Sequence, residues 1–237
     1  CPSSTAQSPC GDVLIDPGDV VIAAWPSYFV YTGSLDGFGA VVRAIDVDEH
    51  GLIPERLERL LAGLAKAGQL HRVKLVYTCS YHQNPTGLTL TEQRRRALLD
   101  VIQRFSTEQR IVLIEDAAYR ELTYGPPNEP APDNPTANQP TSIKALDKAH
   151  AHVALLQTIS KPFAPGLKLG YGLLPGDLVP HIARAKAGRD FGTVSSAILL
   201  LGPRPEEGRF WYAGGPPCRT PYRDRSELLA ALAEAGR

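Results

Sequence analysis

The segment TISKPFAPGLKLGYG (Thr158–Gly172) surrounds one lysine with groups that could support covalent chemistry. Lys161 follows two hydroxyl side chains, Thr158 and Ser160, and precedes a Pro-Gly turn and a second lysine, Lys168. An amine in this setting can bond to a carbonyl carbon and can also move a proton. A lysine at the end of a strand also commonly extends its charge into solvent. This segment alone is compatible with both interpretations.

Two further segments carry polar side chains directly after apolar runs. HQNPTG places Asn84 in a turn, and IEDAAYREL places Asp116 and Tyr119 after RIVLIE. Taken singly, these could be a strand-to-helix turn and a helix N-cap. A carboxylate at the end of so apolar a run is costly to desolvate, however, unless a cation or several donors receive it.

Short apolar, β-branched runs precede these segments and recur along the chain, and we interpret them as buried strands. The five predicted strands are Asp19–Ala24, Ala40–Ile45, Val73–Thr78, Arg110–Asp116 and His152–Thr158.

Helical patterns separate the predicted strands. One apolar helix face is formed at spacing i, i+3, i+4, i+7 by Leu57, Leu60, Leu61 and Leu64. A second helix is predicted to open with a capping box of Thr89 and Glu92 and to bury Leu98, Leu99, Ile102 and Phe105. Alternating strands and helices indicate an α/β domain with a mostly parallel sheet, whose ligands bind beyond the carboxyl ends of the strands.

The composition excludes several classes of protein. The chain has 237 residues, of which 43% are hydrophobic and 21% charged, with zero net charge, so we expect no nucleic-acid or membrane partner. The four cysteines show no CxxC spacing, which argues against zinc and disulfides and favours a reducing, cytoplasmic compartment. We expect no metal site. Because the sequence contains no Met and begins with Cys, we expect a partial chain.

Together, the amide, the carboxylate with its phenol, and the amine match the requirements of pyridoxal 5′-phosphate (PLP). A carboxylate keeps the pyridine nitrogen protonated, and an amide and a phenol can hydrogen-bond the phenolic oxygen of the ring. Hydroxyl and backbone N–H groups at a turn can hold the phosphate.

The motifs HQNPTG, IEDAAYREL and SKPFAPGLKLGYG resemble those of fold-type I PLP-dependent aminotransferases of class I/II. The likeness is closest to the branch of 2-aminoadipate aminotransferases and MocR regulators, and it spans roughly residues 14–188. It implies a three-layer α/β/α large domain with a mostly parallel central sheet and a small domain that is largely missing. We therefore expect an irregular N-terminal remnant (1–12), the PLP-binding large domain (13–188) and a poorly matching C-terminal region (189–237).

The resemblance also implies roles for individual residues. Lys161 would be the Schiff-base lysine, and Asp116 would pair with the pyridinium nitrogen. Asn84 and Tyr119 would contact the phenolic oxygen, and Tyr28, in WPSY, would stack on the ring. The phosphate would be bound by Thr158, Ser160 and Lys168.

This sequence departs from the family pattern at three places. The family usually has arginine at position 168, and lysine lacks the bidentate fork of arginine. The family's glycine-containing phosphate turn would align near Pro2-Ser3, without the glycine. Residues 199–222 do not match the helix expected there.

The resemblance implies transamination between an amino acid and a 2-oxo acid, performed by a homodimer. Two alternatives stay open. The chain could be a PLP-binding regulatory module of the MocR type, or an inactive fragment of an aminotransferase.

Overall fold

The computed structural model describes residues 9–107, 109–122, 139–162 and 169–190. The strands are β1 (Val20–Trp25), β2 (Val41–Asp48), β3 (Gly51–Leu52), β4 (Val73–Cys79), β5 (Val112–Asp116), β6 (Val153–Thr158) and β7 (Gly170–Leu173). The helices are α1 (9–14), α2 (Phe29–Gly37), α3 (Pro54–Lys66), α4 (Glu92–Phe105), α5 (Ile143–Leu146) and α6 (Val179–Asp190).

These strands form one sheet in the order β3-β2-β1-β4-β5-β6-β7. The five inner strands are parallel, while β3 and β7 run antiparallel to their neighbours. The chain passes from β1 outward to β2 and later returns to add β4 on the other side of β1. This reversal of direction creates a crevice at the carboxyl ends of β1 and β4, where ligands of open α/β sheets bind.

Apolar side chains alternate between the two faces of the sheet and make a separate core on each. Val20, Ile22 and Ala24 pack with α3, α4 and α5, whereas Val21 and Ala23 pack with α1, α2 and α6. The result is the three-layer α/β/α architecture that the resemblance to class I/II aminotransferases implied. All five predicted strands are present, with ends that match or differ by up to three residues.

Some local expectations were wrong. Residues 9–14 are helical, whereas the sequence predicted an irregular segment through residue 12. Helix α4 begins two residues later than predicted, because Thr91 rather than Thr89 accepts the hydrogen bond from Arg94 N. The Thr89 hydroxyl instead accepts from His82 N.

Strand β7 was not predicted, since Gly170–Leu173 has too few β-branched residues to indicate a strand.

Other expectations lie outside the described residues. These are the turn near Pro2-Ser3, the side chain of Lys168, and the segment 199–222. Most of the Pro-rich stretch 125–142 is also outside them. Because β6 pairs with β5 beyond that stretch, the residues on either side of it belong to the same sheet.

Candidate functional site

The strand register places the polar residues side by side at the carboxyl ends of the parallel strands. Asp116, the last residue of β5, lies opposite Cys79 on β4 and Leu156 on β6. By alternation, Asp116 shares a sheet face with Tyr77 and Thr158. The turns that follow β1, β4, β5 and β6 carry Tyr28, Asn84, Tyr119 and Lys161.

Asp116 is a buried carboxylate with a hydrogen-bond donor on each oxygen. It is 3% exposed. The Tyr77 hydroxyl donates to Oδ2 at 2.8 Å, and the backbone N–H of Ala118 donates to Oδ1 at 3.0 Å. These donors offset part of the cost of taking the charge out of water.

The charge of Asp116 acts on the groups around it. Burial raises the pKa of Tyr77 well above its usual range, and the neighbouring Asp116 carboxylate raises it further. Burial likewise raises the pKa of the Cys79 thiol, and Asp116 adds to that effect. Tyr77 and Cys79 are therefore neutral at physiological pH, and Tyr77 keeps the proton that it donates to Asp116.

The amide, the phenol and the amine are in contact. Asn84 Nδ2 donates to the Tyr119 hydroxyl at 3.3 Å. Lys161 Nζ lies 5.3 Å from the centroid of the Tyr119 ring, within the range of a cation–π interaction. Asp116 lies close to this cluster, because Asp116 and Tyr119 both act electrostatically on Tyr28.

Tyr28 reaches the same crevice from β1. It is the N-cap residue of α2, with extended backbone angles, and it is partly buried. Burial raises the pKa of Tyr28, and so, to a smaller extent, do Tyr119 and Asp116. These electrostatic effects indicate that the Tyr28 phenol lies near Tyr119 and Asp116.

The hydroxyl pair before Lys161 forms a tight turn. The Thr158 hydroxyl donates to the Leu169 carbonyl at 3.1 Å and accepts from Ser160 N at 3.1 Å. Ser160 is 3% exposed, and its hydroxyl has no hydrogen-bond partner among the described residues. Ser160 Oγ can therefore receive an outside ligand, while in this structure the Thr158 hydroxyl hydrogen is bonded to Leu169.

Sequence reasoning missed two residues that support this site. Tyr77 donates to Asp116, as described above. Gln83 is 3% exposed and ties two turns together, since its Nε2 donates to Pro26 O at 2.6 Å and its Oε1 accepts from Thr86 at 2.9 Å. A buried tyrosine in the apolar run VKLVYT was a usable signal, because buried tyrosine hydroxyls usually find a partner.

A buried ion pair lies behind the site on the opposite face of the sheet. The Arg95 guanidinium and the Glu115 carboxylate are both fully buried and 3.2 Å apart. Glu115 also accepts from Ser80 Oγ, Ile143 N and Lys144 N. Burial raises the pKa of Glu115, and these donors together with Arg95 oppose that shift. Through Glu115, which directly precedes Asp116, these contacts fix α4 and α5 to the end of β5.

Two classes of site are absent from the part of the chain that the structure describes. It holds no group of three His, Cys, Asp or Glu side chains able to bind a metal ion. Nor does it contain a helix both long enough and apolar enough to cross a membrane.

Comparison with known proteins agrees with this arrangement. The family model described as aminotransferase class I and II matches residues 4–200. Aromatic-amino-acid aminotransferase 1 of Thermococcus litoralis is 31% identical over 192 residues, covering 81% of this chain and 42% of that protein. YdfD, an uncharacterized HTH-type transcriptional regulator of Bacillus subtilis, is 28% identical over 182 residues, covering 77% of this chain and 33% of the regulator.

A solved structure shows the same fold. The crystal structure of Pyrococcus horikoshii kynurenine aminotransferase, in complex with PMP, superposes with a TM-score of 0.71 at 31% identity. The match covers 81% of this chain and 43% of that one, so this chain spans about two fifths of the length of the aminotransferases it matches. The motif resemblance is thus confirmed: the chain belongs to the class I and II aminotransferase family.

Proposed function

We propose that this chain provides the PLP-binding part of an enzyme that transfers an amino group between an amino acid and a 2-oxo acid. The observation that carries the proposal is that Asn84, Tyr119 and Lys161 are in contact and that Asp116 lies close to them at the neighbouring strand end. Family membership and the PMP complex of the P. horikoshii relative support it.

The residues present fit PLP at each part of the molecule. Asp116 has a carboxylate suited to the pyridine nitrogen, and Tyr28 supplies an aromatic ring next to it. Asn84 and Tyr119 would hydrogen-bond the phenolic oxygen. The buried hydroxyl of Ser160, which lacks a partner among the described residues, suits a phosphate oxygen. Thr158 and Lys168 remain predicted phosphate ligands.

The proposed chemistry divides between the cofactor and the protein. When bound, PLP supplies a protonated pyridine ring that withdraws electrons from the Cα of the substrate. Asp116 holds the proton on the ring nitrogen, because its negative charge favours the pyridinium form. Lys161 would anchor the cofactor through Nζ and, once the substrate amine has displaced it, would remove the proton from the substrate Cα as a general base.

A homodimer in the cytoplasm is part of this proposal. Trp25 is 50% exposed and Phe29 is 74% exposed, and both flank Tyr28 at the site. Large apolar side chains exposed beside a polar crevice are typical of a surface that another protein covers. A second copy of the chain is the partner we propose, with an amino acid and a 2-oxo acid as substrates.

Regulation is the second candidate, because a transcriptional regulator matches the same part of the chain. Such a module would bind PLP at Lys161 without turnover. The two candidates differ when an amino acid is added to the PLP-loaded protein. An enzyme consumes the amino acid and releases its 2-oxo acid, whereas a sensor or an inactive fragment leaves both concentrations unchanged.

Substitution of Lys161 tests the proposed function. We expect the wild-type protein to develop a visible absorption band with PLP, and Lys161→Ala to develop none. Any transamination should fall by at least about a hundredfold, since general acid–base catalysis alone contributes about 10²–10⁴. Lys66→Ala is the matched control, because Lys66 is exposed on α3. Equal bands in wild type and Lys161→Ala would overturn the proposal.

A further inference from the structure

We propose that Tyr77 is a positioning residue, which holds the Asp116 carboxylate in the orientation needed to pair with a ring nitrogen. This inference rests on the proposed function and deepens it. It concerns a side chain in the middle of the sheet core that is not one of the residues identified from the motifs.

The geometry of the carboxylate supports this role. Each carboxylate oxygen can accept about two hydrogen bonds. Ala118 N occupies one position on Oδ1 and the Tyr77 hydroxyl occupies one on Oδ2. With a donor on both oxygens, rotation of the carboxylate about its χ2 angle would break one hydrogen bond or both.

Tyr77 is itself held firmly. It is fully buried, and its ring packs on Tyr31 with 4.3 Å between ring centroids and 43° between ring planes. A tyrosine fixes its hydroxyl through only two rotatable bonds, so little conformational freedom is lost when it donates. Because burial raises the pKa of Tyr77 well above its usual range, it remains a donor at physiological pH.

Several titratable groups face Asp116 from the surrounding elements. Tyr77 and Cys79 face it from β4, Tyr31 from α2, and Tyr28 from the turn after β1. Tyr119 lies three residues beyond Asp116, with Lys161 over its ring. From this group, the Tyr77 hydroxyl donates a hydrogen bond to Oδ2 of the carboxylate at 2.8 Å.

A purely structural role for Tyr77 predicts different results. If the hydroxyl only satisfied a buried polar group, its removal would change stability without changing the behaviour of Asp116. If it positions and stabilises the carboxylate, removal makes the charged form less favourable, because a hydrogen bond to the charged form favours it. Asp116 then takes up a proton at higher pH.

The test compares Tyr77→Phe with Tyr31→Phe. Both remove one hydroxyl from the same packed pair, but the Tyr31 hydroxyl is buried without a hydrogen-bond partner among the described residues. The first measurement is the titration midpoint of the Asp116 carboxyl in cofactor-free protein. This midpoint is measured by ¹³C NMR of samples labelled at aspartate, and the Asp116→Asn variant identifies the Asp116 signal.

We expect the Asp116 midpoint to rise by about one pH unit in Tyr77→Phe, since a hydrogen bond to a charged group typically changes an equilibrium about tenfold or more. In Tyr31→Phe it should stay within a few tenths of a unit of wild type. The second measurement is PLP affinity at pH 8, which should weaken about five- to tenfold in Tyr77→Phe because binding must then order the carboxylate.

An unchanged Asp116 midpoint in folded Tyr77→Phe, or equal shifts in both variants, would overturn the inference. Thermal unfolding followed by circular dichroism establishes that each variant is folded. The cofactor-free titration separates this inference from the proposed function. A raised midpoint in Tyr77→Phe together with no PLP binding by wild type would support the role of Tyr77 towards Asp116 and contradict the PLP assignment.

Discussion

At the scale of single residues, the strand ends stabilise their polar side chains with backbone groups from their own turns. Ala118 N donates to Asp116, and Ser160 N donates to Thr158, each across two residues. Such contacts depend on local sequence, and they explain why short motifs indicated these residues. Tyr77 donates to Asp116 from a neighbouring strand, across 39 residues, and a motif cannot reveal that pairing.

His82 makes the stability of the folded protein depend on pH. Burial lowers the pKa of His82 from its ordinary value of 6.5, so the folded protein binds this proton less readily than the unfolded chain. Stability contributed by this residue is therefore lost as pH falls below about 6.5. The backbone of His82 has φ of 45°, which asparagine tolerates better than most residues.

We therefore expect wild type to lose more of its unfolding free energy than His82→Asn between pH 7.5 and pH 5.5. Urea unfolding at both pH values measures the difference. Parallel pH dependence of the two proteins would show that His82 titrates alike in the folded and unfolded states.

At the scale of elements, two turns from different strands are joined by one amide. Gln83, in the turn after β4, donates to Pro26 O, in the turn after β1. These are the turns that carry Asn84 and Tyr28. The hydrogen bond from Gln83 to Pro26 therefore fixes the position of Asn84 relative to Tyr28.

Replacing the Gln83 amide should lower both the stability of the fold and the affinity for PLP. We expect Gln83→Leu to lower the unfolding free energy by about 1–3 kcal/mol, because the partners Pro26 O and the Thr86 hydroxyl lose a hydrogen bond. PLP affinity should also fall. Gln103→Leu, on the exposed side of α4, is the control and should change stability by less than about 0.5 kcal/mol. Equal stabilities of the two variants would contradict this account of Gln83.

At the scale of the whole molecule, the sequence was sufficient to predict the α/β class and the five parallel strands. Four of those strands, β1, β4, β5 and β6, are apolar runs buried along nearly their whole length, which is a strong signal. Strand β2 was also expected to be buried, but most of its residues are partly or fully exposed. The two antiparallel edge strands were missed, because β3 has only two residues and β7 is rich in glycine. The order of the strands in the sheet could not be predicted either, because strand pairing depends on contacts between segments that are distant in sequence.

The buried pair of Arg95 and Glu115 shows the same limit. Arg95 lies in the charged stretch EQRRRALL, which is typical of a solvated helix surface, whereas Glu115 lies at the end of the apolar run RIVLIE. In the folded chain they are fully buried, and Arg95 also donates to the carbonyls of Leu90 and Ser80. Only the assembled layers of helix and sheet supply enough partners to bury these charges.

The central claim is that Lys161 is the amine facing a PLP molecule held by Asp116, Asn84 and Tyr119. Borohydride reduction of the PLP-loaded protein, followed by peptide mass spectrometry, identifies the lysine that is bonded to the cofactor. We expect the phosphopyridoxyl group on Lys161, and its loss from that peptide in Asp116→Asn at limiting PLP. Label spread over several lysines, or concentrated on one other than Lys161, would contradict the account.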